Sequence, residues 1–153
     1  MTSRNIKIKD LTVSKIALGT WALGGGRDWG EPCADTCALD TIKKSFDLGI
    51  NFIDAAPIYG LGRAHTLLGA AIKSKIIPRG QIVIATKCGL KPAARAVEFN
   101  LKPASVRREL EESLKTLKTD YNDLYLIHRL DRNTPLCDTL EDLDRQKKKG
   151  NIR

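Results

Sequence analysis

The sequence predicts an α/β protein built on a parallel sheet. Three observations predict it. Short apolar runs alternate with amphipathic stretches, their onsets near residues 15, 51, 82, 121 and 152 recur every 30 to 40 residues, and four of them end on Gly19, Asp54, Lys87 and His128. Buried parallel strands read as near-continuous apolar segments, and joining consecutive ones needs a crossover of about that length, normally a helix. Repeated βα units wind right-handed. The rhythm suits both a doubly wound open sheet and a closed (β/α)8 barrel, and the period alone does not choose between them.

The first strand lies in Lys15–Gly19. The glycines that follow, Gly24-Gly-Gly26, do not form G-x-G-x-x-G opening a helix, so the dinucleotide fingerprint of an open sheet is missing. Leu39, Ile42 and Phe46 recur at i, i+3, i+7 and mark the first helix, with Gly49 as its stop. The second strand is Asn51–Asp54, and Leu67, Leu68, Ala71 and Ile72 form the next helical face. Ile82–Lys87 is the third strand. Val106, Leu110, Leu114 and Leu117 line a helix entered through Pro103, and Asp123–His128 is the fourth strand. Leu136, Leu140 and Leu143 begin a fourth helix, with Thr134 as its cap and Pro135 in its first turn. Gln146-Lys-Lys-Lys149 carries no apolar residue and reads as a solvated last turn at the negative end of the helix dipole. Gly150-Asn-Ile-Arg153 reads as a helix end and the opening of a fifth strand.

A chain of 153 residues with 42% apolar content suits one domain, here 1–153, with an ordinary core, which excludes disordered and collagen-like classes. Lys plus Arg number 26 against 18 Asp plus Glu, and the resulting charge of +8 favours anionic partners. Nucleic acid is not expected among them: aromatics are 5% and the Lys147-Lys-Lys149 run has none interleaved. No apolar run approaches the roughly 20 residues of a membrane span, and Met1–Lys9 has no signal core, so the expectation is a cytoplasmic protein with no membrane partner. Cys33 and Cys37 are spaced C-x3-C rather than C-x2-C, and with Cys88 and Cys137 distant no metal site is expected.

In both candidate architectures reactive groups gather past the C-terminal ends of the strands. Here those ends hold Gly19-Thr20-Trp21, Asp54 with Tyr59, Lys87, and His128. A carboxylate, a phenol, an ammonium and an imidazole on one rim suit proton donation. A phenol ordinarily titrates near pH 10, too high for an efficient acid at pH 7, and a neighbouring ammonium favours its phenolate form. Asp54 would hold Lys87 charged and in place, while His128 would bond the same substrate oxygen.

Ile16-Ala-Leu-Gly-Thr-Trp-Ala-Leu-Gly-Gly25, Gly49-Ile-Asn-Phe-Ile-Asp-Ala-Ala-Pro-Ile-Tyr-Gly60, Ile84-Ala-Thr-Lys87 and Asp120-Tyr-Asn-Asp-Leu-Tyr-Leu-Ile-His128 together resemble the aldo-keto reductase family. Asp-x4-Tyr-Gly after a strand, joined to A-T-K and I-H, is a specific combination, and the resemblance runs from about residue 6 to 153. It implies a (β/α)8 barrel and reduction of aldehyde or ketone carbonyls by NADPH, with NADH as the other option. By that resemblance Tyr59 donates the proton, Asp54 and Lys87 tune it, and His128 orients the carbonyl. Gly19, Thr20, Trp21 and Asp54 would meet the nicotinamide, and Trp29, Tyr59, His128 and Arg129 the substrate.

The chain departs from the family pattern in places. Arg63 is followed by Ala64 and His65 where the family usually has Ser and Glu, which implies a lost serine cap of about 1 kcal/mol and a surface histidine. Arg129-Leu-Asp131 lacks the commoner proline before the Asp, and Gln146 stands where a leucine is usual. A complete barrel needs about 250 residues. The expectation is therefore its N-terminal half: about four βα units plus the start of a fifth strand. That half would need self-association or a complementing C-terminal half, and the alternative is a catalytically inactive truncated remnant or an interaction module.

Overall fold

The computed structural model describes residues 4–26, 28–92 and 97–153. Residues 1–3, part of the N-terminal segment read above for a signal, lie outside them. The described chain opens with a hairpin, β1 (Asn5–Ile8) and β2 (Leu11–Ser14), turned through Lys9 in the left-handed region at φ 49°. There follow β3 (Ala17–Gly19), the short helix α1 (Trp21–Gly24), α2 (Asp35–Asp47) and β4 (Phe52–Asp54). Next come α3 (Arg63–Lys73), β5 (Val83–Cys88), a second hairpin of β6 (Leu90–Pro92) and β7 (Val97–Phe99), and α4 (Pro103–Leu117). β8 (Leu124–Ile127) and α5 (Leu136–Lys148) complete the order.

β3, β4, β5 and β8 form a parallel four-stranded sheet in chain order, each joined to the next through a helix. Asp54 pairs with Ala85, so β5 runs on past the end of β4 and carries Lys87 above it. Asn122 and Ile152 make a parallel bridge beyond β8, where the fifth strand was expected to open. The two hairpins had no counterpart among the expected elements, because each strand is only three or four residues long.

The core lies between sheet and helices. Ile53 and Ile84 of the sheet pack with Ile42 of α2, Leu68 of α3 and Leu117 of α4. Each such side chain contributes about 1.5–3 kcal/mol of transfer free energy. α3 and α4 approach so closely at Gly69 that a Cβ there would collide with the Thr116 carbonyl. Pro103 opens α4 as expected, and Gly49, at φ 87°, ends the turn after α2 with its N–H on the Phe46 carbonyl.

Four expectations need correction. His65 is not a surface residue: it is 2% exposed, inside the buried face of α3. No serine cap is lost, because the cap position is Gly62 and Ala64 already sits buried within the first turn. Thr134 does not cap α5; its Oγ1 donates to Asp131, and Pro135 takes the cap position. The buried face of α5 is Thr139, Asp142 and Gln146 rather than Leu136 and Leu140, which are exposed. Partners explain the last result: Asp142 pairs with Arg107 of α4, Thr139 donates to the Leu101 carbonyl, and Gln146 accepts from Asn151. Among the described residues no helix is long and apolar enough to cross a membrane.

Candidate functional site

The C-terminal ends of β4, β5 and β8 bring Asp54, Lys87 and His128 to one rim. Tyr59 arrives from the turn Tyr59–Gly62 that leads into α3. That turn runs through the left-handed region at Gly60, Leu61 and Gly62, with φ of 58°, 52° and 97°. Gly60 is required twice, by this φ and by space, since a Cβ would run into the backbone of Gly24. Leu61 has no such licence and holds a conformation that costs a side-chain-bearing residue about 1–2 kcal/mol.

Lys87 Nζ is the centre of the cluster. It donates to Asp54 Oδ1 at 2.7 Å, to the Ala55 carbonyl at 3.1 Å and to Tyr59 Oη at 2.9 Å. All three donors of the ammonium are thereby satisfied in a largely buried place. Tyr59 Oη also lies 3.4 Å from Asp54 Oδ2, to which it donates. His128 meets the Tyr59 ring edge-on with centroids 6.1 Å apart, and its backbone N–H is tied to the Cys88 carbonyl. Burial, reinforced by the Lys87 charge and opposed by Asp54, lowers the His128 pKa below the ordinary imidazole value. The ring is therefore neutral at pH 7 and able to donate a single hydrogen bond.

The cleft above these groups has a volume of about 500 Å³. Trp21 stacks on Tyr59 at 5.7 Å with 14° between the planes, and Trp29 meets Trp21 edge-on at 6.0 Å. Arg129 and His128 line the far wall. Gly19 has open space above its Cα. Thr20, in contrast, is enclosed beneath the rim, its Oγ1 donating to the Asp54 carbonyl. Its position fixes the ends of β3 and β4 together rather than facing the cleft.

Several residues that shape the site were not anticipated. Leu61, Leu90 and Val97 supply its apolar side, the last two from the second hairpin. Arg63 ties the approach to the cleft together: its guanidinium donates to the carbonyls of Leu23 and Cys33 and pairs with Asp35 at 2.5 Å. An arginine one residue past a glycine turn signals a backbone clamp only once the loops it holds are known. His65 lies behind Lys87 on the opposite face of β5, with Nε2 2.9 Å from Thr86 Oγ1. Burial and then the Lys87 charge lower its pKa to about 4.

The family model described as the aldo/keto reductase family matches residues 15–153. The NADH-specific methylglyoxal reductase of Escherichia coli (strain K12) is 38% identical over 94% of this chain and 48% of its own length. The L-galactose dehydrogenase of Arabidopsis thaliana is 32% identical over 94% of this chain and 44% of its own. Among solved structures, the glycerol dehydrogenase of Gluconobacter oxydans superposes with a TM-score of 0.85 at 37% identity, covering 100% of this chain and 47% of that one. An aldo-keto reductase from Bacillus halodurans in its holo form matches with a TM-score of 0.85 at 28% identity, covering 98% and 48%. The chain spans about half the length of the relatives it matches.

Proposed function

This chain belongs to the aldo/keto reductase family, and from that premise we propose that its rim cluster is the acid–base site of an NAD(P)H-dependent reductase of small aldehydes or ketones. The observation that carries the reading is the Asp54–Lys87–Tyr59 chain, with contacts of 2.7 and 2.9 Å. A substrate carbonyl oxygen placed beside Tyr59 Oη would take the phenolic proton. The Lys87 ammonium stabilises the negative charge left on Oη, and Asp54 keeps Lys87 aimed at that oxygen. Neutral His128 donates to the same carbonyl oxygen and orients it without competing as an acid. Trp21, Leu61 and Leu90 give the cleft apolar walls beside the reacting centre.

The residues present fit the reacting end of a nicotinamide: Gly19 leaves room for a flat ring at the rim, and Trp21 supplies an aromatic edge. That group, when bound, supplies a hydride to the carbonyl carbon. Asp54 bounds the same space. Trp29 and Arg129 are assigned to the substrate side, where Arg129 would attract an anionic substituent. The relative from Escherichia coli is named for NADH, so this reading admits either nicotinamide.

The test is oxidation of NADPH or NADH in the presence of a small aldehyde such as methylglyoxal, followed in the wild-type chain and in Tyr59→Phe. Loss of the proton donor should lower turnover by about 10²–10⁴-fold with the fold intact. Measurable and equal rates in the two proteins would remove Tyr59 from the role proposed for it.

A further inference from the structure

On the face of β5 away from Lys87, a cavity of about 420 Å³ lies between α3, α4 and the second hairpin. Leu61 and Leu90 line both this cavity and the cleft, and so form the wall between them. Its α4 side is polar. Glu109, Glu112, Ser113 and Thr116 follow at i, i+3, i+4 and i+7, a spacing that on a packed helix is normally apolar. Glu109 is 5% exposed and Ser113 2%. Glu109 Oε2 accepts from the Gly89 N–H at 2.9 Å. Glu109 Oε1, whose near neighbour is the Lys91 ammonium, and Ser113 Oγ have no hydrogen-bond partner among the described residues, a condition that is costly for a buried polar group.

We propose that this cavity is a second binding site, taking a small primary alkylammonium ion with its nitrogen at Glu109 Oε1 and Ser113 Oγ. The donor–acceptor balance selects the class. The polar wall offers two carboxylates and two hydroxyls, and an ammonium brings three donors and no acceptor. Across from α4, Pro57, Leu61 and Leu90 provide an apolar surface for the alkyl chain. His65, on the α3 side, is neutral and does not oppose a cation. Lys91 does: its Nζ stands 3.5 Å from Glu109 Oε1, a loose contact, and its side chain reaches solvent, where it can withdraw. Burial pushes the Glu109 carboxyl above its usual range, against the Gly89 N–H and the Lys91 charge, which pull it down. A carboxylate ligand would face Glu109 and Glu112, and a neutral alcohol would leave Glu109 without added counter-charge.

The probe is n-butylammonium chloride, titrated calorimetrically into the full chain at constant ionic strength. Saturable one-site binding is expected, with none for 1-butanol or butyrate. Glu109→Gln should weaken it about tenfold or more, the size of a lost charge-assisted hydrogen bond. Ser113→Ala should weaken it severalfold and decides the matter if Glu109→Gln fails to fold by circular dichroism. Lys91→Met should tighten binding, because it removes the competing cation, and Tyr59→Phe should leave it unchanged. Absence of saturable binding at millimolar concentration, equal binding of 1-butanol, indifference to both α4 variants, weaker binding in Lys91→Met, or loss in Tyr59→Phe would each overturn the proposal.

Discussion

The two faces of β5 handle buried polarity in opposite ways. Lys87 points to the rim cluster and places every ammonium donor on Asp54, the Ala55 carbonyl and Tyr59. Thr86, the preceding residue, points outward to α3 and meets His65, an imidazole that stays buried by giving up its charge. Consecutive residues of β5 thus lead, on one face, to an ammonium held by three acceptors and, on the other, through Thr86, to an α3 imidazole whose charge is suppressed. A titratable group can be buried by pairing or by neutralisation, and chemistry that needs charge can use only the first. That contrast separates the group proposed to act from the group that packs.

Its sharpest test is Lys87→Met. Turnover in the aldehyde assay should fall about 10²–10⁴-fold, as for loss of an acid–base partner, while near-ultraviolet circular dichroism stays native. A loss of that size from Thr86→Val as well would erase the distinction between the faces.

Acid should expose the other face. The folded His65 pKa of about 4 lies below the ordinary 6.5, so between those values the unfolded chain takes a proton that the folded chain refuses. Stability is therefore fully present above pH 6.5 and falls as pH drops towards 4, by about 3 kcal/mol at most. His128 acts in the same direction, and Glu109, whose pKa is raised, acts in the opposite one. Urea midpoints between pH 7 and 4 should show the decline, and His65→Gln should flatten it. An unchanged slope in that variant would assign the acid sensitivity elsewhere. The smallest effect belongs to Thr86→Val, which removes the hydroxyl facing His65 and should cost about 1 kcal/mol in the same measurement.

The parallel strands and the rim were legible because each is an apolar run ended by a conspicuous residue. Asp54, Lys87 and His128 stand out against interiors of Ile, Leu, Val and Ala, and the fixed hand of βα units places their ends together. His65 was legible too, by position: it precedes Leu68 and Ile72 by three and seven residues, on the apolar face of α3. Its polarity outweighed its place, since one sequence does not display the Thr86 hydroxyl that makes a buried imidazole tolerable. Gln146, Asp142 and Thr139 of α5 failed in the same way. Their burial depends on Asn151, Arg107 and the Leu101 carbonyl, all supplied by other parts of the chain. The hairpin that walls the cleft escaped notice because three-residue strands carry too little alternation to register.

The stack of Trp21 on Tyr59 has an optical consequence. The chain holds two tryptophans, and Trp29 rests against Trp21 at 6.0 Å. All indole emission therefore originates at one cleft. Light absorbed by the tyrosines and passed on by energy transfer ends there as well. The protein carries a built-in lamp on its rim, and its colour and brightness report that neighbourhood while remaining nearly blind to the helices and to the far end of the sheet.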